Sequence, residues 1–526
     1  MSKLTALFCL AALATAQEPV FRTGTRLVTV DVVVRNNRGP IRGLTKDDFT
    51  IQDKGKTQTI SVFSVADVNS PPAKADPLPP RVAANRLNQN GETAVSATLL
   101  LFDRLNIPRP LDQAAVRIKV LEFLASLKPS DRIGFCSLGT NLIMVQDVND
   151  NAGPMAQAAK NLLAPNQASP GDEREQAVEA RLSDALTPMQ QLDMRVRTGT
   201  TPQALETIAR HLAGIPGRKN LIWVLSDFPL TFGEQADRRD NYESEVARAS
   251  NILAGANVAA YLMDPRGVTI SGSSTSGSEG TGTVSRTEGS LMPKGRGGAV
   301  APAESVGLSG SETVDAIAKA TGGNTYHQTN DIGADVRKVM EDAQVTYTLG
   351  FYVDEKNLDG KSHDLNVRLA KKPETSGASV RHGKSYLALA TKQESRPSMN
   401  QLVDDPLDAT AIGLMAAAAP DPSKPGVHMV QVRVDLHNLQ FEHRADKWIA
   451  AFDLGLALET GGGGAPPVSN KPMTLTLTDD QYKQALAAGL LVDNSIPSPT
   501  KPVILRVAVQ DKGTGQAGSV RVPLQP

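Results

Sequence analysis

Four short, nearly unbroken apolar runs constrain this chain more than any other feature. They fall at residues 97–102 (Ala-Thr-Leu-Leu-Leu-Phe), Ile133–Leu138, Leu221–Leu225 and Val258–Met263. A strand that is apolar on both faces must be covered on both, which is the condition of a parallel sheet between two layers of helices. Helical spacings separate the runs. Leu111, Ala114, Ile118, Leu121 and Ala125 recur on one predicted helix face, and Ala204 to Leu212 and Tyr242 to Leu253 repeat the pattern. Strand alternating with helix predicts an α/β fold, a doubly wound and mainly parallel sheet, over residues 96–390. Inside it, residues 269–309 are rich in Ser, Gly and Thr, too poor in apolar side chains for a core, and are expected to form a disordered insertion. The pattern resumes with a helix capped by Ser311 and ended by Gly322-Gly323, a strand at Thr325-Tyr326 and a helix over Ile332–Met340. Strands at 345–353 and 364–370 are expected to extend the same domain.

The flanks have a different period. Leu27, Val28, Val30, Val32 and Val34, then Phe49, Ile51, Ile60, Val62 and Phe63, predict a small antiparallel β module over 21–66. Residues 67–95 turn to Pro, Ala, Asn and Asp and read as a Pro-rich linker, and 391–425 read as a second one. Beyond it, Val430, Val432, Val434 and Leu436 alternate with Gln431, Arg433, Asp435 and His437. With Trp448–Leu458, Met473–Leu477 and Val503–Val509 they predict a β-sandwich-like module over 426–526, interrupted by one helix at Asp479–Ala488.

Composition excludes several classes. Lys+Arg 55 against Asp+Glu 56 leaves a net charge of -1, so no whole-chain field draws in nucleic acid or an anionic membrane, and neither is expected as a partner. Residues 1–16 carry Lys3, an apolar run from Leu4 to Leu13 and the small-x-small ending Ala14-Thr15-Ala16, the form of a cleaved signal peptide. The mature chain is expected to begin near Gln17, outside the cytoplasm, with no transmembrane segment. Cleavage removes Cys9 and leaves Cys136 inside an apolar strand, as an inert buried thiol.

Particular stretches then add a resemblance. Gly43-Leu44-Thr45-Lys46-Asp47-Asp48-Phe49, Leu101-Phe102-Asp103-Arg104-Leu105-Asn106, Asn220-Leu221-Ile222-Trp223-Val224-Leu225-Ser226-Asp227 and Tyr347-Thr348-Leu349-Gly350-Phe351-Tyr352 together resemble the bacterial von Willebrand factor A-related domain family of the acidobacterial type, over roughly residues 21–390. The resemblance implies a type A fold, whose relatives bind proteins or other macromolecules, and no reaction. It also implies a divalent ion at the C-terminal edge of the sheet, held by Asp-x-Ser-x-Ser, a loop Thr and a later Asp. Asp103 and Asp227 occupy the carboxylate positions here. Leu105 and Ile107 stand where the serines would be and offer no oxygen, so only Asn106 or water could replace them. Thr200 or Thr201, ahead of the predicted helix, is the candidate loop ligand. Mg²⁺ needs a nearly complete oxygen octahedron, so a site of Asp103, Asn106, Thr200 and Asp227 would hold it weakly if at all. The alternative is that the two aspartates cap loops or helix ends.

Catalytic patterns are sparse. Asp264, before Pro265, could line the same edge or initiate a turn. His211, His327, His363, His382, His428, His437 and His443 show no metal-binding spacing and are expected on surfaces or strand faces. Ser137 and Ser226 lack a Gly-x-Ser-x-Gly elbow. The expected function is therefore a secreted or periplasmic non-enzymatic module with an unidentified protein or other macromolecular partner and no cofactor. The alternative is a secreted metal-assisted hydrolase working through Asp103, Asp227 and Asp264.

Overall fold

The computed structural model describes residues 25–67, 77–79, 81–86, 97–107, 110–128, 133–148, 157, 159, 187–215, 217–226, 248–264, 310–326, 331–342, 344–359, 361–388, 396–459 and 468–526. The expected signal peptide, the 269–309 insertion, Asp227 and His327 lie outside them. The protein is a mixed α/β structure in which one mainly parallel sheet is accompanied by four antiparallel sheets among the described residues.

The four apolar runs form the centre of the parallel sheet. Its strands lie side by side in the order Asn324–Tyr326, Val258–Met263, Lys219–Val224, Ala97–Asp103, Ile133–Leu138 and Leu142–Gln146, and only the last runs antiparallel to its neighbour. Numbered along the chain, this is the doubly wound order 3-2-1-4-5-6. Alternate side chains feed two cores. Leu99, Leu101, Leu221, Trp223, Ala260 and Leu262 pack under the helix Thr187–Leu212, the helix through 248–255 and the helix Gly310–Thr321. Leu100, Phe102, Ile222, Val224, Ala259 and Tyr261 pack under the helices Pro110–Ala125 and Ile332–Asp342.

The first of these helices buries a different stripe from the one its periodicity suggested. Val116, Val120, Phe123 and Leu124 face the sheet, while Ile118 is 53% exposed. Both stripes are apolar at helical spacing, and only the position of the sheet selects between them. The helix Thr187–Leu212 begins well before Ala204 and carries Gly199 and Pro202 within it, so the Thr198–Thr201 stretch expected to be a loop is helical.

The N-terminal β module is not a separate unit. Thr25–Asn36 pairs with Val345–Asp354, which also takes Val62–Asp67, and Phe49–Asp53 pairs with Ser362–Leu369. The strands expected to extend the α/β domain thus complete a two-sheet sandwich with the N-terminal segment around one core that includes Val32, Ile51, Tyr347, Phe351 and Val367. Val345–Asp354 is buried along most of its length, only Thr348, Tyr352 and Asp354 being partly or fully open, so its pattern suits either unit and its pairing with Thr25–Asn36 and Val62–Asp67 decides its place.

Both expected linkers contain paired structure. Val82–Ala84 adds a strand to Leu414–Pro420, and the Asn85 amide donates to the Ala409 and Ile412 carbonyls at 2.7 and 2.8 Å. Residues 399–404 are helical, capped by Ser398, whose Oγ accepts from the Gln401 amide at 3.1 Å. The segment after that helix docks on the end of Thr187–Leu212. Arg210 pairs with Asp405 at 2.9 Å, the Thr410 hydroxyl donates to the His211 carbonyl at 2.6 Å and accepts from the Gly214 amide at 2.8 Å. In the C-terminal region two antiparallel sheets enclose Val430, Val432, Val434, Phe452, Leu505 and Val520, and a helix spans Asp479–Ala488, capped by Thr478. Among the described residues no helix is long and apolar enough to cross a membrane.

Candidate functional site

Strand order reverses direction between Ala97–Asp103 and Lys219–Val224, the place where open α/β sheets form a crevice beyond the carboxyl ends of their strands. Asp103 ends the first of these strands. It continues the row of Leu99 and Leu101, so it points to the face covered by Thr187–Leu212 and is fully buried.

A buried carboxylate needs donors, and Asp103 has three. Its Oδ1 accepts from the Asn106 amide at 3.0 Å, and its Oδ2 accepts from Asn106 Nδ2 at 2.7 Å and Trp223 Nε1 at 2.8 Å. Trp223 lies on the neighbouring strand and the same face, and a buried indole N–H seeks an acceptor. Asn106 in turn connects the parts around it. Its Nδ2 also donates to Thr201 Oγ1 at 2.8 Å, its Oδ1 accepts from Arg197 Nε at 3.3 Å, and its backbone carbonyl accepts from the Ser226 amide at 3.1 Å and hydroxyl at 3.2 Å. Burial pushes the Asp103 carboxyl up to about 6, although the Asn106 and Trp223 hydrogen bonds and the Arg197 charge all oppose the rise.

The flanking residues explain why the chain bends here. Leu105 packs against the core under Thr187–Leu212, and Ile107, fully buried, enters the core on the opposite face. The two positions where donor hydroxyls were absent are thus hydrophobic anchors that hold Asn106 between the layers. Gln113 ties the turn down by donating to the Arg104 and Ile107 carbonyls at 3.0 and 2.7 Å.

Of the residues expected at an ion site, Asp103 and Asn106 come together, Asp227 lies outside the described residues, and Thr201 rather than Thr200 reaches the cluster. Thr200 is half-buried, whereas Thr201 is fully buried. The spacing held the signal: Thr201, Leu205, Ile208 and Leu212 fall on one helix stripe, and Thr200 is a third of a turn away from it. Trp223 sits in an apolar run that marks it as buried, but only the pairing of its strand with Ala97–Asp103 brings its indole to the aspartate. Arg197 carried no signal, since an arginine in a polar stretch is ordinarily solvent-facing. Among the described residues no group of three His, Cys, Asp or Glu side chains is arranged to hold a metal ion.

His363, His382 and His428 lie on strands and His437 and His443 are exposed, in line with expectation, whereas His211 is on a helix; it and the three strand histidines are buried. His363 sits between Asp53 at 3.2 Å and Asp359 at 3.0 Å, with the Tyr386 hydroxyl donating to Asp53 at 2.9 Å. His211 meets Asp147 at 3.3 Å and the Asp408 carbonyl at 2.8 Å. Each is buried with polar partners from another element, which single-sequence spacing cannot reveal. Asp264 is half-buried and its amide donates to the Tyr326 carbonyl at 2.9 Å. Cys136 is buried, and burial raises its thiol well above the usual range.

No family model and no curated protein matches the chain. Among solved structures it is similar to a von Willebrand factor type A protein from Catenulispora acidiphila, at a TM-score of 0.26 and 10% identity, covering 89% of this chain and 74% of that one.

Proposed function

We propose that this chain is a non-enzymatic interaction protein, exported by its N-terminal segment, whose α/β unit is of von Willebrand factor A type with its ion position replaced by internal hydrogen bonds. One observation carries the reading: Asp103, at the strand end where a type A domain would place its first ligand, has no exposed surface and receives three N–H donors, while Arg197 supplies a fixed cation through Asn106. A carboxylate so engaged would have to give up those bonds to ligate Mg²⁺, which itself requires a nearly complete oxygen shell. The same burial weighs against the hydrolase alternative, because a group with no exposed surface cannot touch a substrate or its water. The partner is a protein or other macromolecule bound without a metal bridge, in the periplasm or outside the cell. Calorimetry of the full chain with Mg²⁺, Mn²⁺ and Ca²⁺ tests this reading. Affinities of millimolar or weaker are expected, and micromolar binding abolished by Asp103→Ala would overturn it.

A further inference from the structure

A cleft of about 470 Å³ opens at the seam between the α/β unit and the N-terminal sandwich, far along the chain from Asp103. One wall is the end of the helix Gly310–Thr321 and the start of the strand Asn324–Tyr326; the other is Ser379–His382 and the turn that follows it. The walls meet backbone to backbone. Gly322 has a φ of +77°, and a Cβ there would lie 2.5 Å from the His382 and Gly383 main chain. Behind the seam, the buried Arg218 guanidinium donates to the Gly322 carbonyl at 2.5 Å.

Among the described residues the cleft is lined by Lys319, Arg381 and Lys384 against one carboxylate, Asp315, in a chain whose charges otherwise cancel. Among the described residues neither Lys319 nor Lys384 pairs with a carboxylate. The Lys384 ammonium instead donates to His382 Nε2 at 3.2 Å. That ring is neutral: burial, with the nearby Lys384 and Arg218 charges, holds it down at about 4. Its Nε2 accepts the Val367 amide at 3.2 Å as well, and its Nδ1 donates to the Gly383 carbonyl at 2.7 Å. Burial and the facing Lys319 charge push the Lys384 ammonium below the usual lysine range. Two ammonium groups that oppose each other across a cleft, with a neutral ring as the nearer one's partner, leave a positive charge that an anion would satisfy.

We propose that this cleft binds a phosphate- or sulfate-type dianion, free or as the ester head group of a larger molecule, through Lys319, Lys384 and Arg381. Among the described lining residues three cationic side chains face one carboxylate, a balance that suits a tetrahedral oxyanion, and the volume leaves room for the remainder of an ester. The inference stands apart from the reading of the Asp103 site.

Calorimetry of the full chain at low ionic strength tests it, with inorganic phosphate, inorganic sulfate, phosphoserine and a sulfated monosaccharide as probes. Saturable binding is expected, weakened at least about tenfold in Lys319→Gln/Lys384→Gln, as loss of charge-assisted hydrogen bonds predicts. Binding should be unchanged in Lys338→Gln, a surface lysine paired with Asp335. Tighter binding of the esters than of the free ions would identify a head group, and equal affinity a free ion. No saturable heat with any probe at millimolar concentration, or equal binding by the double variant, would overturn the proposal.

Discussion

Asp103→Asn is the most informative change at the buried cluster, because it keeps the shape and removes the charge. The folded carboxyl titrates at about 6 and the unfolded one at about 3.9, so the native state holds the proton more tightly between those values. Below about pH 4 both states are protonated and burial of the group costs nothing through ionisation; as pH rises, the unfolded state ionises first and stability falls, until both are charged above about pH 6. Two pH units at about 1.4 kcal/mol each amount to about 3 kcal/mol lost between acid and neutral pH. Asn cannot ionise, so the variant lacks this loss. It has a constant cost instead: whichever way its amide turns, an NH₂ faces N–H donors from Asn106 or Trp223, at about 1–3 kcal/mol. The assay is urea unfolding followed by Trp223 emission in a Trp448→Phe background, since these are the two tryptophans of the chain. Other carboxylates cancel in the difference between parent and variant. That difference should favour the parent at pH 4 and shift toward the variant by about 3 kcal/mol at pH 7. A flat difference, or one moving the other way, would refute a buried carboxylate ionised against its surroundings.

At His211, burial alone would lower the imidazole, but the Asp147 charge and hydrogen bond, with the Asp408 carbonyl, hold it up at about 9. Its stabilisation is therefore fully present below about pH 6.5 and lost as pH rises through 9, so the advantage of the parent over His211→Gln should shrink by about 3 kcal/mol across that window in urea titrations. Gly214→Ala would place a Cβ 1.9 Å from the Thr410 carbonyl oxygen, which is backbone and cannot rotate away; a loss of about 1–3 kcal/mol in calorimetric unfolding is expected, and an unchanged Tm would contradict the docking. The Cys136 thiol, buried with its pKa raised, should resist labelling by a thiol reagent in native buffer and react fully in denaturant.

What the sequence determined by itself is the parallel sheet and the C-terminal antiparallel core. Runs such as Leu99–Phe102 and Val258–Met263 are apolar on both faces, and Val430, Val432 and Val434 are apolar on one, so burial follows from composition and period alone. The helix Asp479–Ala488 was legible too, and the structure closes its start with a local capping box of Thr478 and Gln481. Asp103 and Asn106 were legible as a strand-end pair. Tertiary structure alone decided the rest. Val345–Asp354 reads equally well as a strand of either unit, and only pairing with Thr25–Asn36, more than three hundred residues away in the chain, assigns it to the sandwich. Val82–Ala84 is too short and too near prolines to announce itself, and becomes a strand only because Leu414–Pro420 offers an edge. Arg197 is polar by every local measure. It is buried because the helix that carries it lies across the Asp103 strand end, where its charge has Asn106 and Asp103 to meet. Period and propensity act over neighbouring residues, whereas desolvation and charge pairing depend on what distant segments bring alongside, and those decide whether a strand-end aspartate ligates an ion or closes a core.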